Sequence, residues 1–433
     1  MKRVNVISMG CSKNLVDSER LLKRLSDGRI EAVHNADDFS GDAVVINTCG
    51  FIGDAKEESI DMILRACEAK AEGRVGAVYV MGCLSQRYEK ELPVEIPEVD
   101  GWYGKFDFST LAETLCGTSD RNVRDWDRTL TTPSWSAYLK IAEGCNRFCA
   151  FCAIPLITGR YKSRPIDEIV AEVRELVARG VREFNVIAQD LSYYGTDIYG
   201  RKTIAELVDA MASVPGVEWI RLHYAYPADF PYDLLPVMAA HSNVCKYLDI
   251  ALQHCSDNML ERMRRHIDGE EQRHLIERIR REVPGIHIRT TLMVGFPGET
   301  EEDFDELLDF VRTQRFERMG AFAYCEEDDT YAAEKYTDDV PDDVKQARLD
   351  RLMAVQEEIA LEHNQAKVGT RQRVLIENEN DAYYVGRTQY DSPEVDPEVL
   401  VPKDVCPSPL VAGEFCNIEI TDAMPFELIG KPV

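Results

Sequence analysis

The sequence predicts an α/β fold in three parts: a Rossmann-like parallel-sheet N-terminal domain, an open (β/α)6 partial barrel, and a small C-terminal β-barrel. Three observations carry this. Apolar runs alternate with helix-period segments through most of the chain. A charged stretch, Thr118 to Ser134, divides that alternation in two. From Val368 onward the pattern changes to short β-rich runs separated by Gly and Pro. The expected parts are therefore residues 1–117, a linker over 118–134, a core over 135–366 and a tail over 367–433.

Composition bounds the function. The chain has 433 residues, 45% of them hydrophobic, enough for two to three domains with substantial cores. The net charge of −27 repels phosphate backbones and attracts basic partners. No early run reads as a signal peptide and no apolar run is long enough to span a bilayer, so the expected location is the cytoplasm, with no membrane partner. Thirteen cysteines in a reducing compartment argue for metal-binding or catalytic thiols over disulfides.

In the first part, three apolar runs each end in a cysteine loop. Val4 to Gly10 leads to Cys11, Ala43 to Thr48 to Cys49, and Ala77 to Gly82 to Cys83. Helical patterns lie between them, over Leu15 to Leu25 and Asp54 to Ala71. Strand and helix in alternation predict a parallel sheet with crossover helices, and ligands gather beyond the carboxyl ends of such strands. Geometry therefore brings Cys11, Cys49 and Cys83 to one edge as a three-thiolate site; the alternative is three unrelated buried cysteines. Cys67, on a helix, and Cys116, ending one, read as core residues.

The central part opens on Cys145, Cys149 and Cys152, spaced C-x3-C-x2-C after an apolar run. Three thiolates on one loop can hold three corners of an iron–sulfur cluster and leave one iron open to a reacting molecule. A structural metal knot is the alternative, although a tetrahedral zinc site wants a fourth His or Cys, and this stretch has none. Candidate strands are Tyr138–Ala142, Phe184–Gln189, Trp219–Tyr224, Tyr247–Leu252, Ile288–Val294 and Ala321–Tyr324, with helical patterns between. Barrel active sites lie at the carboxyl ends of strands. The cysteine loop, Gln189-Asp190, Gln253-His254 and Gly295-Phe296-Pro297-Gly298 all fall there. His254 reads as a satisfied core histidine, with a direct catalytic role as the alternative. Arg160, Lys162 and Arg164 form a basic cluster beside the loop, or simply a solvated one. Thr300 before Glu301 and Asp303 predicts a helix cap.

An acidic stretch follows, from Glu326-Glu327-Asp328-Asp329 to Asp343, and then a helix over about Val344–Ala366. In the tail, Val374–Glu377, Ala382–Arg387 and Phe415–Ile420 read as strands. Residues 368–433 hold five basic against twelve acidic side chains, a net charge of −7. An RNA-binding barrel needs a basic groove with stacking aromatics, so this tail suits a basic protein better.

Several phrases resemble a known family. The cysteine loop resembles the radical S-adenosylmethionine (SAM) superfamily. Gly10-Cys11-Ser12-Lys13-Asn14-Leu15-Val16-Asp17-Ser18-Glu19, Asn47-Thr48-Cys49-Gly50 and Gly82-Cys83-Leu84-Ser85 resemble the methylthiotransferases within it. Ala153 to Arg160, Tyr247 to His254 and Ser392-Pro393-Glu394-Val395-Asp396 resemble the branch that modifies an aspartate of a ribosomal protein, and the tail resembles the TRAM domain, normally an RNA-binding module. The resemblance implies two [4Fe-4S] clusters. One, on Cys145, Cys149 and Cys152, binds SAM through its open iron and cleaves it to a 5′-deoxyadenosyl radical. The other, an auxiliary cluster on Cys11, Cys49 and Cys83, takes part in sulfur supply. Gln189, Asp190, Gly295, Phe296 and Gly298 are the expected SAM contacts. The implied reaction puts a methylthio group on the β-carbon of an aspartate in protein twelve of the small ribosomal subunit, a basic protein met alone or in the subunit. SAM serves as radical source and methyl donor, and a separate electron donor is required. A tRNA adenosine methylthiotransferase is the nearest competitor, and the acidic tail argues against tRNA. A cluster protein that only transfers electrons is the competitor from another class.

Overall fold

The computed structural model describes residues 2–36, 38–117 and 123–433. Residues 118–122, which open the expected linker and include Asp120 and Arg121, lie outside the described residues.

The N-terminal sheet is wholly parallel. Its spatial order is Glu31–His34, Arg3–Ser8, Ala43–Thr48, Val78–Gly82, Gly101–Trp102. Helices Ser12–Asp27 and Phe108–Cys116 cover one face and Gly53–Ala71 the other, so alternate residues of Ala43–Thr48 enter two cores: Ala43 and Val45 one, Val44 and Ile46 the other. Strands covered on both faces read as continuous apolar runs. The edge strands Glu31–His34 and Gly101–Trp102 are only half-buried, and sequence reading missed them for that reason. Cys67 lies in one of these cores, and half-buried Cys116 packs against the other.

The core domain is an open sheet of six parallel strands. In order they are Ser136–Lys140, Glu183–Ile187, Trp219–Ala225, Val244–Gln253, His287–Val294 and Arg318–Ala323. This is the expected partial barrel. Helix Glu301–Gln314 begins in the expected cap: the Thr300 hydroxyl accepts from the Asp303 N–H, and the Asp303 carboxylate accepts from the Thr300 N–H. At the strand edge formed by Ser136–Lys140, helix Ser12–Asp27 of the first domain packs alongside, and Asp17 pairs with Lys140. The linker is less solvated than its charge suggests. Arg128 is buried, 2.7 Å from Glu19 of the first domain and 3.0 Å from Glu172 of the second.

Helix Asp342–Gln365 leads to a closed barrel of five strands: Arg371–Glu379, Tyr383–Thr388, Glu398–Pro402, Glu427–Pro432 and Phe415–Ala423 in spatial order. Closure leaves no free edge. Sequence reading missed Glu398–Pro402 and Glu427–Pro432, which are short and only intermittently buried. The barrel docks under the core through Arg387, which binds Glu183, and through Phe415, whose ring meets Trp219 at 4.8 Å. No helix among the described residues is long and apolar enough to cross a membrane.

Candidate active site

The three N-terminal cysteines meet because short polar side chains lock their loops. Asn14 Nδ2 donates to the Thr48 carbonyl at 2.9 Å and the Met9 carbonyl at 3.2 Å. Asn47 Nδ2 donates to the Asn14 carbonyl, and Ser59 Oγ bonds both the amide and the carbonyl of Cys49. A side chain at Gly10 would stand 2.9 Å from Cys49 Sγ, and one at Gly50 would stand 2.6 Å from Leu84 Cα. The Cys49 and Cys83 loops therefore touch backbone against backbone, and the Gly10 backbone lies against the Cys49 side chain. Cys83 Sγ lies 3.4 Å from Asn14 Oδ1, which also accepts from Lys105 Nζ at 3.3 Å. Lys105 is fully buried and pairs with Asp17 at 3.1 Å. Burial pushes the Cys83 thiol up to about 11 and raises Cys49 as well. Burial also raises Cys11, but Lys13, Lys105 and the Asn14 and Lys13 amides more than offset it, and its thiol lies below the ordinary value.

The second triplet sits on a loop closed at its base by a two-residue antiparallel ribbon, Ala142–Glu143 against Lys162–Ser163. Gly144 follows at φ +82°, where a Cβ would lie 2.2 Å from the Arg160 carbonyl oxygen, so only glycine fits. The Cys145 N–H donates to the Gly159 carbonyl at 3.1 Å, and the Ala150 N–H to the Met263 carbonyl at 2.9 Å. Arg265, 2% exposed, donates from Nη1 to Cys149 Sγ at 3.0 Å, its guanidinium 4.2 Å from the Tyr226 ring. Burial pushes the Cys145 thiol up to about 12 and raises Cys152 further.

The two triplets are neighbours. Cys83 packs against Ala153 and Ile157, immediately beyond Cys152. Between them runs a buried ionic chain: Lys105 to Asp17, Asp17 to Lys140, and Lys140 to Glu143 at 2.8 Å. Burial raises the Glu143 carboxyl, yet Lys105, Lys140 and Gln189 hold it well below the usual carboxylate range. Beside Cys11 a cavity of about 210 Å³ opens, walled by Tyr138, His223, Tyr247 and Arg289 of the core and by Glu394 of the C-terminal domain.

These donor sets suit iron–sulfur clusters. Among the described residues no group of three His, Cys, Asp or Glu side chains closes on a single metal ion. A four-iron cube holds its thiolates further apart than one ion does. Buried thiols of raised pKa ionise when metal binds, and Arg265 and Lys105 stand ready to balance that charge.

The expected strand-end contacts have mixed surroundings. Gln189 is at the mouth, its Nε2 donating to Glu143 while its buried Oε1 has no partner among the described residues. Asp190 is already engaged, accepting from Arg147 Nε at 2.7 Å and the Ser192 N–H at 2.8 Å. The turn at Gly295 and Gly298 was expected to let a ligand approach. The space beside each glycine is instead filled by protein: Lys345 stands over Gly295 and Arg262 over Gly298. Phe296 is fully buried, in one apolar cluster with Ala150 of the cysteine loop. His254 is a satisfied core residue, Nδ1 accepting from the Ser256 N–H and Nε2 lying 3.2 Å from Glu299. Of the basic cluster, Arg164 is tied to Glu168 and Glu172, whereas Arg160 and Lys162 are exposed. Sequence reading gave no role to Lys13, Lys105, Glu143 or Arg265. Lys13 and Glu143 adjoin the cysteine phrases and could have been flagged; Lys105 and Arg265 lie far from them in sequence.

Residues 139–311 match the Radical SAM superfamily, residues 3–104 match Uncharacterized protein family UPF0004, and residues 368–433 match the TRAM domain. The chain is 58% identical over 433 residues to ribosomal protein uS12 methylthiotransferase RimO of Phocaeicola vulgatus, covering 100% of both chains. It is 58% identical over 431 residues to the protein of that name from Porphyromonas gingivalis, covering 100% of this chain and 99% of the relative. With that from Cytophaga hutchinsonii it shares 46% over 432 residues, covering 100% and 98%. Among solved structures, the radical SAM methyltransferase TsrM from Kitasatospora setae, with cobalamin and a [4Fe-4S] cluster bound, superposes with a TM-score of 0.58 at 16% identity over 77% of each chain. That likeness concerns the fold alone.

Proposed function

The chain belongs to the family of ribosomal protein uS12 methylthiotransferases, RimO, and from that premise we propose that it replaces a hydrogen on the β-carbon of a uS12 aspartate with a methylthio group. The observation that carries this reading is the meeting of two cysteine triplets, where Cys83 touches Ala153 directly after Cys152. When bound, a [4Fe-4S] cluster on Cys145, Cys149 and Cys152 supplies reductive cleavage of SAM, and a second on Cys11, Cys49 and Cys83 supplies the station for sulfur.

The protein's own groups hold, balance and shield. Arg265 donates to the Cys149 sulfur, a charge-assisted bond that favours the thiolate. Lys105 does the same by proximity for the first triplet. Glu143 and Gln189 lie on the wall between the two sites, and the free Oε1 of Gln189 is the acceptor we assign to SAM. Asp190 acts one step back, by fixing Arg147 of the cysteine loop. Phe296 shapes that end of the site from the buried cluster it shares with Ala150, and Gly295 and Gly298 flank it. The C-terminal loop at Glu394 walls one side of the cavity.

In this reading residues 1–117 hold the sulfur station, 135–366 the SAM site, and 367–433 receive the substrate. The acidic C-terminal barrel complements basic uS12, free or in the small subunit, and disfavours tRNA. An electron donor completes the reaction, which takes place in the cytoplasm. The test is a competition: reconstituted enzyme, SAM and a reductant are given small ribosomal subunits together with bulk tRNA, without oxygen. A methylthio mass gain on an aspartyl peptide of uS12 is expected. The gain on tRNA adenosine instead would overturn the substrate assignment.

A further inference from the structure

The basic groups around the cavity have carboxylate partners among the described residues, except Lys13. Arg289 lies 3.4 Å from Asp396 and 3.6 Å from Asp249. Deeper in, Lys105 and Lys140 share Asp17 and Glu143. Lys13, in the first turn of helix Ser12–Asp27, is only 8% exposed and has no carboxylate partner among the described residues. Its Nζ rests 3.5 Å from the centroid of the Tyr224 ring, and Tyr224 is part of the cavity wall. The chain holds 77 acidic residues against 50 basic, so an unpaired buried ammonium does not reflect a shortage of carboxylates. A cation–π contact recovers only part of what an ammonium loses on leaving water.

Tyr224 is itself held under strain. Its φ is +67°, a region non-glycine residues seldom adopt, and it lies where the strand Trp219–Ala225 shifts register against its neighbour. Such strain persists where the surroundings impose it, and it gathers at functional sites.

Resting on the function proposed above, we infer that Lys13 is the anchor for the side-chain carboxylate of the substrate aspartate, at the edge of the cavity beside Cys11. An ammonium offers three donors to a carboxylate. The β-carbon is bonded directly to that carboxylate, so fixing the carboxylate fixes the reacting carbon within one bond of the anchored group. The same anchor is a specificity device, because an adenine base has no anion there and an asparagine has none either.

The test is direct binding, read by fluorescence anisotropy. Cluster-loaded enzyme is titrated with a synthetic uS12 peptide spanning the target aspartate and with the same peptide carrying asparagine. Wild type should bind the aspartyl peptide about 10- to 100-fold more tightly. Lys13→Met should bind both equally and weakly, Lys13→Arg should keep most of the preference, and the auxiliary-cluster electron paramagnetic resonance spectrum should not change. Equal binding of the two peptides by wild type overturns the inference without recourse to any variant. So does a Lys13→Met protein that keeps the wild-type ratio. An enzyme that modifies uS12 but shows no aspartate preference refutes only the anchor; one that modifies neither uS12 nor peptide refutes the function itself.

Discussion

Replacing Arg387 by methionine should loosen the C-terminal barrel from the core. Arg387 is 1% exposed and makes five hydrogen bonds: to Glu183 at 2.9 and 3.1 Å, to Glu377 at 2.7 and 2.9 Å, and to the Asp391 carbonyl at 2.9 Å. Removing one partner of a buried ion pair costs about 3–5 kcal/mol, because the other charge is left behind. Glu183 is fully buried but keeps Arg221 and the Ser136 hydroxyl, and Glu377 is 20% exposed and can rehydrate. Both facts place the loss near the lower end, about 3 kcal/mol.

The loss belongs to one interface of a multidomain chain, so a single melting temperature is the wrong probe. Hydrogen exchange of the strands Arg371–Glu379 and Tyr383–Thr388 is the right one, and protection there should fall about a hundredfold. Glu183→Gln on the Arg387→Met background leaves buried Arg221 without its only carboxylate among the described residues and should lower protection further, not restore it. The pH dependence has a definite sign. Burial would raise Glu183, but Arg387 and Arg221 hold it far below the usual carboxylate range. Its stabilisation is therefore present above the ordinary carboxylate value and is lost only as pH falls through the depressed folded value. The variant should open at a higher pH than wild type. Protection lowered less than threefold, or a recovery in the double variant, would refute the account of this interface.

Three further outcomes are expected. Alanine at Cys145, Cys149 or Cys152 should abolish 5′-deoxyadenosine formation from SAM, whereas alanine at Cys11, Cys49 or Cys83 should spare it and abolish methylthio insertion; equal loss in both sets would end that division of labour. In metal-free protein at neutral pH, iodoacetamide should label Cys11 ahead of Cys83 and Cys145, since its thiol is lowered whereas burial raises theirs to about 11 and about 12. Their labelling should quicken as pH rises, and mass spectrometry showing all three modified at one rate would count against the electrostatics described. Gly50→Ala places a methyl group 2.6 Å from Leu84 Cα and should push the Cys49 loop off the Cys83 loop. About half the iron should be lost per protein while SAM cleavage persists, and a full iron content would show that the loops tolerate separation.

The chain order of strands and helices was legible because most strands here are covered on both faces. Ala43–Thr48 is buried at every position and reads as an unbroken apolar run. Strands exposed on one side or short, such as Glu31–His34 and Glu398–Pro402, carry no such run and passed unseen. Both cysteine triplets were legible too, one from its local spacing and the other from the resemblance of the phrases around Cys11, Cys49 and Cys83 to a known family, with which the rule that loops after parallel strands share an edge agrees. The acidic balance of the tail is likewise a property of the sequence alone, and burial hardly alters it, since Arg387 is buried as well as Asp391.

Tertiary structure decided everything that depends on which distant residues meet. The glycines at 295 and 298 look in sequence like an opening for a ligand, yet the long side chains of Lys345 and Arg262 fill the space beside them. The linker looked solvated, yet Arg128 is buried between Glu19 and Glu172, because a charge that finds two carboxylates can leave water. The placing of Cys83 on Ala153, and of Arg265 on Cys149, joins residues 70 and 116 positions apart. Periodicity and spacing report what a residue does within its own strand or loop. Hydrogen bonds and charge pairs between domains depend on distances that no local pattern encodes, and here those distances place a lone lysine beside the cavity.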